Sequence, residues 1–328
     1  MSDAGKSWTG VPVPFTGRAA PETSEEAIAR ATFSTEAFRR IYVDNDVQDA
    51  IVASILILMR SCRGLRGVPL PGRRLSQISQ AGKSKIVQAL RTRLAALARE
   101  HGLEPNPHQV LYLELKGSMT LRMIWTRLLR QLGDPHFNDG NTEDLLQRLA
   151  EFVQLRGVEV LVIDEVQVLK GKTVNKVEIT DELRGLLNDG IVPVVFIGDE
   201  RSKQFFEDNE KLAGRLGRPL ELLPLDLTTQ AKVAKDFCAS LDDAMVAAGC
   251  TRKSSNLATN AVLNPLLRSS GQHLGRICRI VEAALEHAVQ RDADFVEPFD
   301  LWHAVETFAI RADYTKKNHF VRKPRVGS

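Results

Sequence analysis

No stretch of the sequence holds the roughly 18 consecutive apolar residues that a membrane span requires. The first residues also lack the basic-then-apolar order of a secretion signal, so a cytoplasmic location with no membrane partner is expected. Four cysteines, Cys62, Cys238, Cys250 and Cys278, are scattered without a C-x-x-C pair. That scatter predicts neither disulfides nor zinc, and Cys278, on an apolar helical face, reads as a buried free thiol. A large charge excess is missing too: +3 over 328 residues is too small to announce a nucleic-acid partner by electrostatics alone. The excess is concentrated in 311–328, where six Lys and Arg face one Asp, and such a basic tail is ordinarily a solvated terminus. What is present is a globular composition, 43% hydrophobic and 26% charged, enough for one large core and a smaller companion domain.

Residues 1–33 are polar and contain Pro12, Pro14 and Pro21, which predicts a flexible segment. A helix follows over 34–63, with Ile51, Ile55, Ile57 and Leu58 as its apolar positions, and Gly67, Pro69, Pro71 and Gly72 mark a loop after it. From there apolar runs at Val110–Leu115, Val158–Ile163 and Val192–Ile197 alternate with helical patterns at 82–100, 120–132, 142–155 and 179–188. Largely apolar strands separated by helices predict a parallel sheet covered on both faces. After Leu225 no sheet-forming run remains, and helices are expected over 228–248, 256–263 before Pro265, 274–290 and 297–309. The expected domains are therefore a nucleotide-binding core with an N-terminal helical extension over 34–226, a small helical lid over 227–310, and the tail.

The chemistry concentrates at strand ends. Gly82-Lys83-Ser84 opening a helix can wrap backbone N–H groups around a β-phosphate, with Lys83 bridging phosphates and Ser84 holding Mg²⁺. The same tripeptide at Gly5-Lys6-Ser7 follows no strand and reads as chance. The full phosphate-loop pattern calls for glycine where this chain has Gln77, and Arg73-Arg74-Leu75-Ser76 makes a poor buried strand, which leaves the loop's shape open. Eighty-one positions after Lys83, Asp164-Glu165 closes an apolar strand, where Asp164 would hold Mg²⁺ and Glu165 would orient and polarise an attacking water. Both motifs together predict ATP as ligand and substrate. Gly198-Asp199 closes the next strand, making Asp199 a candidate sensor of the γ-phosphate or simply a loop acid. The two strand-end motifs resemble those of AAA+ proteins, which present an arginine just before the lid to the phosphates of a neighbouring subunit; that resemblance makes Arg215, ahead of Arg218, the candidate, and a permanently charged planar guanidinium suits the task. Arg276, at the start of a lid helix, is a candidate second sensor; Arg279 is a poorer one, and His273 reads as a cap or surface residue.

Taken in order, Ile163-Asp164-Glu165-Val166-Gln167, Phe196-Ile197-Gly198, Leu212-Ala213-Gly214-Arg215 and Gly275-Arg276-Ile277 resemble the TniB/TnsC-type AAA+ ATPases of DNA transposition, over about residues 35–310. The resemblance implies an AAA+ phosphate-loop fold and a homo-oligomer assembled as rings or filaments on double-stranded DNA. It also implies a link between a target-selecting protein and a DDE transposase. By position it points to the turn after the second strand for DNA contact, with Lys116 first, Arg122 second and Thr142 also a candidate. Asp199 stands where the family usually has threonine. A helicase-loader-like or secretion-associated ATPase acting on a protein, and a nucleotide-gated scaffold with little hydrolysis, remain the alternatives.

Overall fold

A computed structural model describes residues 17–18, 20–65, 67–78, 82–170 and 173–320. The chain begins with α1 (Glu25–Arg40), α2 (Asp46–Cys62), β1 (Arg73–Ser76), α3 (Lys83–Glu100), β2 (Val110–Glu114), α4 (Leu121–Leu132) and α5 (Thr142–Leu155). It continues with β3 (Val160–Asp164), α6 (Val174–Asn188), β4 (Val194–Gly198), α7 (Arg201–Asp208) and α8 (Glu210–Ala213). The last helices are α9 (Ala231–Ala247), α10 (Asn260–Ser269), α11 (Leu274–Gln290) and α12 (Pro298–Ala304), the last extended by a π-helical turn Val305–Ala309. Contacts divide the chain into two compact units, Asp46–Leu222 and a second one joining Met1–Asn45 to Leu223–Ser328.

The first unit is built on one parallel sheet in the order β1-β4-β3-β2. Every residue of β3 and β4 is buried, which requires cover on both faces. β1 is the strand whose polarity argued against it. It survives at the sheet edge, where only Leu75 and Ser76 must be buried. Arg74 lies over the Phe206 ring at 5.3 Å, and the Arg73 guanidinium donates to the Gly72 carbonyl. Leu216 and Leu220 add isolated parallel bridges to Gly72 and Leu75. Thr120 caps α4, and Asn141 with Asp144 forms a capping box on α5, which explains why these helices begin where the sequence places them.

The second unit is helical. Ile277, Ile280, Val281, Ala284, Leu285 and Ala288 of α11 are almost fully buried, as their spacing predicts. Several expectations are corrected here. The expected helix over 34–63 is two helices, and the first starts inside the segment expected to be flexible. Ser24 caps α1, acids Glu25 and Glu26 occupy its first turn, and Ala27, Ala31 and Phe38 are buried as α1 packs on α11, so it belongs here and not with the core. Pro265 does not end α10. The one hydrogen bond it removes costs about 3 kcal/mol, and burying Val262, Leu263, Leu266 and Leu267, each worth roughly 1.5–3 kcal/mol, outweighs that. The start of the basic tail is packed, with Tyr314 and Phe320 buried; 321–328 lie outside the described residues, as does Gly5-Lys6-Ser7. All four cysteines are free thiols, and Cys278 is half-buried at the border of the α11 stripe. Among the described residues no helix is long and apolar enough to cross a membrane.

Candidate nucleotide site

Three strands end side by side. The β1–β4 register pairs Ser76 with Gly198, and β3 finishes next to β4 at Asp164. Because β4 and β3 lie between β1 and β2, the chain changes direction across the sheet here, and ligands of open α/β sheets bind at such a point. Ser202, fully buried at the start of α7, donates to the Asp199 carbonyl and shares a hydrogen bond with the Ser76 hydroxyl, at 2.6 Å each, fastening the β1 and β4 ends together.

Gly82 opens α3 with φ 105°, a backbone state that disfavours any side chain, and no side chain caps this helix. An uncapped N-terminus of an 18-residue helix leaves N–H groups and the positive end of the dipole for an anion. Lys83 is buried, with 8% of its surface exposed, and its ammonium donates to the carbonyls of Gln77 at 3.2 Å and Gly198 at 2.9 Å. Burial lowers its pKa, and Asp164, Glu165, Asp199 and Glu200 pull the other way, which puts four carboxylates within electrostatic reach of one ammonium. Residues 79–81 and the Ser84 side chain lie outside the described residues. Gln77 makes its two contacts here, to Lys83 and from its N–H to the Gly198 carbonyl at 3.2 Å, through the backbone. Its φ is not positive, so glycine is not required at 77.

Asp164 is 4% exposed and accepts from the Tyr112 hydroxyl at 2.9 Å and the Glu165 N–H at 2.7 Å. Burial, reinforced by the neighbouring Asp164 charge, pushes the Tyr112 phenol well above its ordinary value, so it remains a donor. Glu165 adopts a left-handed backbone, φ 60°, and starts the 3₁₀ turn Val166–Leu169. Its carboxylate accepts from Gln167 Nε2 at 2.5 Å. Asp199, the candidate sensor, is held by Arg201, whose Nε donates to Oδ2 at 2.8 Å and whose backbone N–H donates to Oδ1 at 2.8 Å. Tyr112, Gln167 and Arg201 were not singled out as site residues. Of the three, Gln167 alone had a signal, as the last letter of the Asp-Glu-Val-Gln run.

These groups fit a magnesium-nucleotide. Mg²⁺ is commonly held by one or two protein ligands plus substrate phosphates, which suits the buried Asp164 carboxylate within electrostatic reach of Lys83 at the start of α3. Among the described residues no cluster of three or more His, Cys, Asp or Glu side chains could hold a metal alone.

The remaining candidates make contacts of their own. Lys116 is exposed in the turn after β2, whereas the Arg122 guanidinium donates to the carbonyls of Gly140 and Asn138 at 2.6 Å each, which ties α4 to the loop before α5. Thr142 is half-buried as the first residue of α5. Arg215 and Arg218 are exposed, and the Arg215 carbonyl accepts from the Gly72 N–H at 2.9 Å, at the opposite end of β1 from Gln77. Arg276 belongs to the helical unit, where its guanidinium lies 4.4 Å over the Tyr314 ring. His273, at the cap position of α11, is buried rather than on the surface. Burial, with the Arg276 charge, lowers its pKa to about 4. The folded protein therefore keeps His273 neutral where the unfolded chain protonates it. This contribution to stability is fully present above about pH 6.5 and is lost as the pH falls towards 4, by as much as about 3 kcal/mol. Urea midpoints of the parent and His273→Gln across this range should converge as the pH falls; parallel curves would exclude the effect.

Residues 78–206 match the family model described as AAA domain, a domain type of nucleotide-hydrolysing ATPases. The structure is similar to the Aeropyrum pernix ORC2 protein in its ADPNP–ADP complexes, with TM-score 0.61 and 14% identity over 83% of this chain and 70% of that one. It is also similar to the A. pernix ORC1 protein in complex with DNA, with TM-score 0.59 and 17% identity over 85% and 69%. Drosophila ORC bound to DNA follows at TM-score 0.52 and 15% identity over 93% and 70%. Comparison with curated proteins gives no match. The fold is that of an AAA+ protein, a parallel sheet clothed in helices together with a helical domain.

Proposed function

We propose that this protein is an ATP-dependent, sequence-nonspecific DNA-binding ATPase that assembles on duplex DNA as rings or filaments. In this role it would regulate transposition by linking a target-selecting partner to a DDE transposase. The observation that carries the ATPase part is the buried Lys83 ammonium bound to the β4 end beside the Asp164–Glu165 strand end. Lys83 and the α3 N-terminus would bind the β- and γ-phosphates, and Asp164 with Ser84 would hold Mg²⁺, which supplies charge neutralisation at the phosphates. Glu165 would orient the attacking water and draw off its proton, and Arg215 of the next subunit would stabilise charge on the transferring group. The DNA part is supported by the transposition-type motif order in the sequence and by the fold shared with proteins whose structures contain DNA.

With ATP present, binding to duplex DNA should be indifferent to sequence and should weaken steeply with salt, because phosphate contacts release counterions. Lys116→Ala should weaken every sequence about equally and reduce the log–log salt slope by about one. Filter binding over a salt series measures both. A loss confined to particular sequences, or no need for nucleotide, would contradict this assignment.

A further inference from the structure

We propose that Gln167 is a positioning residue for ATP hydrolysis, clamping the Glu165 carboxylate to the strand end that also holds Lys83. The inference rests on the ATPase reading above and names the part of the site that keeps the water-orienting group in place. Gln167 is 7% exposed, in the 3₁₀ turn that follows β3. Its Nε2 donates to Glu165 Oε2 at 2.5 Å, and its Oε1 accepts from the Asp199 N–H at 3.1 Å. The amide has only one workable orientation, since a carboxylate can only accept and a backbone N–H can only donate. One residue back along β4, the Gly198 carbonyl accepts from Lys83. Glu165, Gln167, the Gly198–Asp199 peptide and Lys83 thus form one connected path from the water-orienting carboxylate to the phosphate-binding ammonium.

Two further features show that the local backbone is shaped to this contact. A Cβ on Gly198 would lie 2.8 Å from Gln167 Oε1, 2.6 Å from Ser202 Cβ and 2.7 Å from its Oγ, so the glycine makes room for the amide and for α7. Glu165 itself occupies the left-handed region without being glycine, a state that persists where surrounding contacts enforce it. Without its amide donor the Glu165 carboxylate is free to rotate away. Misplacing a catalytic group by about 1 Å reduces the rate on the order of 100-fold.

The side-chain chemistry gives separable variants. Gln167→Glu keeps an acceptor for the Asp199 N–H and loses the donor to Glu165, whereas Gln167→Met loses both with similar volume. In steady-state assays of the full chain, both should lower kcat about 10- to 100-fold while KM for ATP and the thermal midpoint stay near those of the parent. In a Glu165→Gln background, either change should add almost nothing, because the group being positioned is already gone. A kcat within about twofold of the parent for Gln167→Glu would overturn the proposal, as would a loss in which kcat, nucleotide affinity and thermal midpoint fall together. Failure of the parent protein to hydrolyse ATP at all would instead remove the ATPase reading on which the proposal stands.

Discussion

Replacing Lys83 with alanine should raise the dissociation constant for ATP at least about 100-fold, the scale expected when a buried charge loses its partner. The side chain is buried among carbonyls and carboxylates, not waving in solvent, so the ammonium is already desolvated and oriented before phosphates arrive. Charge-assisted bonds formed by such a group are worth about twice neutral ones. Lys83→Met is the informative companion, because it keeps the packing against the strand ends and removes only the charge. Calorimetry with ATP should show both variants failing alike. Affinity close to that of the parent in Lys83→Met would detach this lysine from the nucleotide and sink the phosphate-loop assignment.

Arg215→Ala should lower turnover on the order of 10³- to 10⁵-fold with ATP affinity preserved, the range reported for loss of an arginine finger. The geometry along β1 favours action between subunits. Its carbonyl is fastened at Gly72, before β1 begins, whereas the phosphate site starts at Gln77, after β1 ends. A strand advances about 3.3 Å per residue, so the two ends are on the order of 15 Å apart along the sheet. An arginine anchored that far from its own site would act, on the proposed reading, at the site of a neighbouring subunit. Mixing tests this. A Glu165→Gln subunit has an intact arginine and a dead site, while an Arg215→Ala subunit has intact carboxylates and no finger. Activity should reappear when the two co-assemble; co-assembly without recovery would exclude action in trans and turn attention to Arg218, exposed three residues on.

The sequence made the interior legible and the edges less so. β3 and β4 are continuous apolar runs because both their faces are buried, and α11 carries its whole apolar stripe at helical spacing. Asp164-Glu165 was readable for the same reason, since an apolar run that stops at two acids marks a strand end. β1 was not, because an edge strand needs few buried positions and Arg74 satisfies itself on an aromatic ring. At Gln77 the contacts to Lys83 and Gly198 use the backbone alone. Gln167 had only its place in the Asp-Glu-Val-Gln run as a signal, since its contact with the Asp199 N–H joins residues 32 positions apart. α1 was missed as part of the helical unit because three of its four buried residues, Ala27, Ala31 and Ser34, are small or polar, so their regular helical spacing carries little apolar signal.

The division of the chain at Asn45 and Leu222 has a consequence for how the molecule is made. The unit that carries the sheet is an uninterrupted segment, whereas the helical unit is assembled from the stretches on either side of it. On a ribosome, α1 is synthesised before the whole of Asp46–Leu222 and α11, on which it packs, after it. Bringing them together closes a loop spanning the whole of Asp46–Leu222, an entropic cost of roughly 4–5 kcal/mol if that loop were still unfolded. A folded insert shortens the effective loop, so early folding of the sheet lowers the barrier to finishing the helices. Until then the 16 residues of α1 lack the tertiary packing that supplies most of a helix's stability. Chains halted after Leu222 carry every residue of β1 to β4 but leave α1 without its partner, and they expose its Phe38 face to proteases and chaperones.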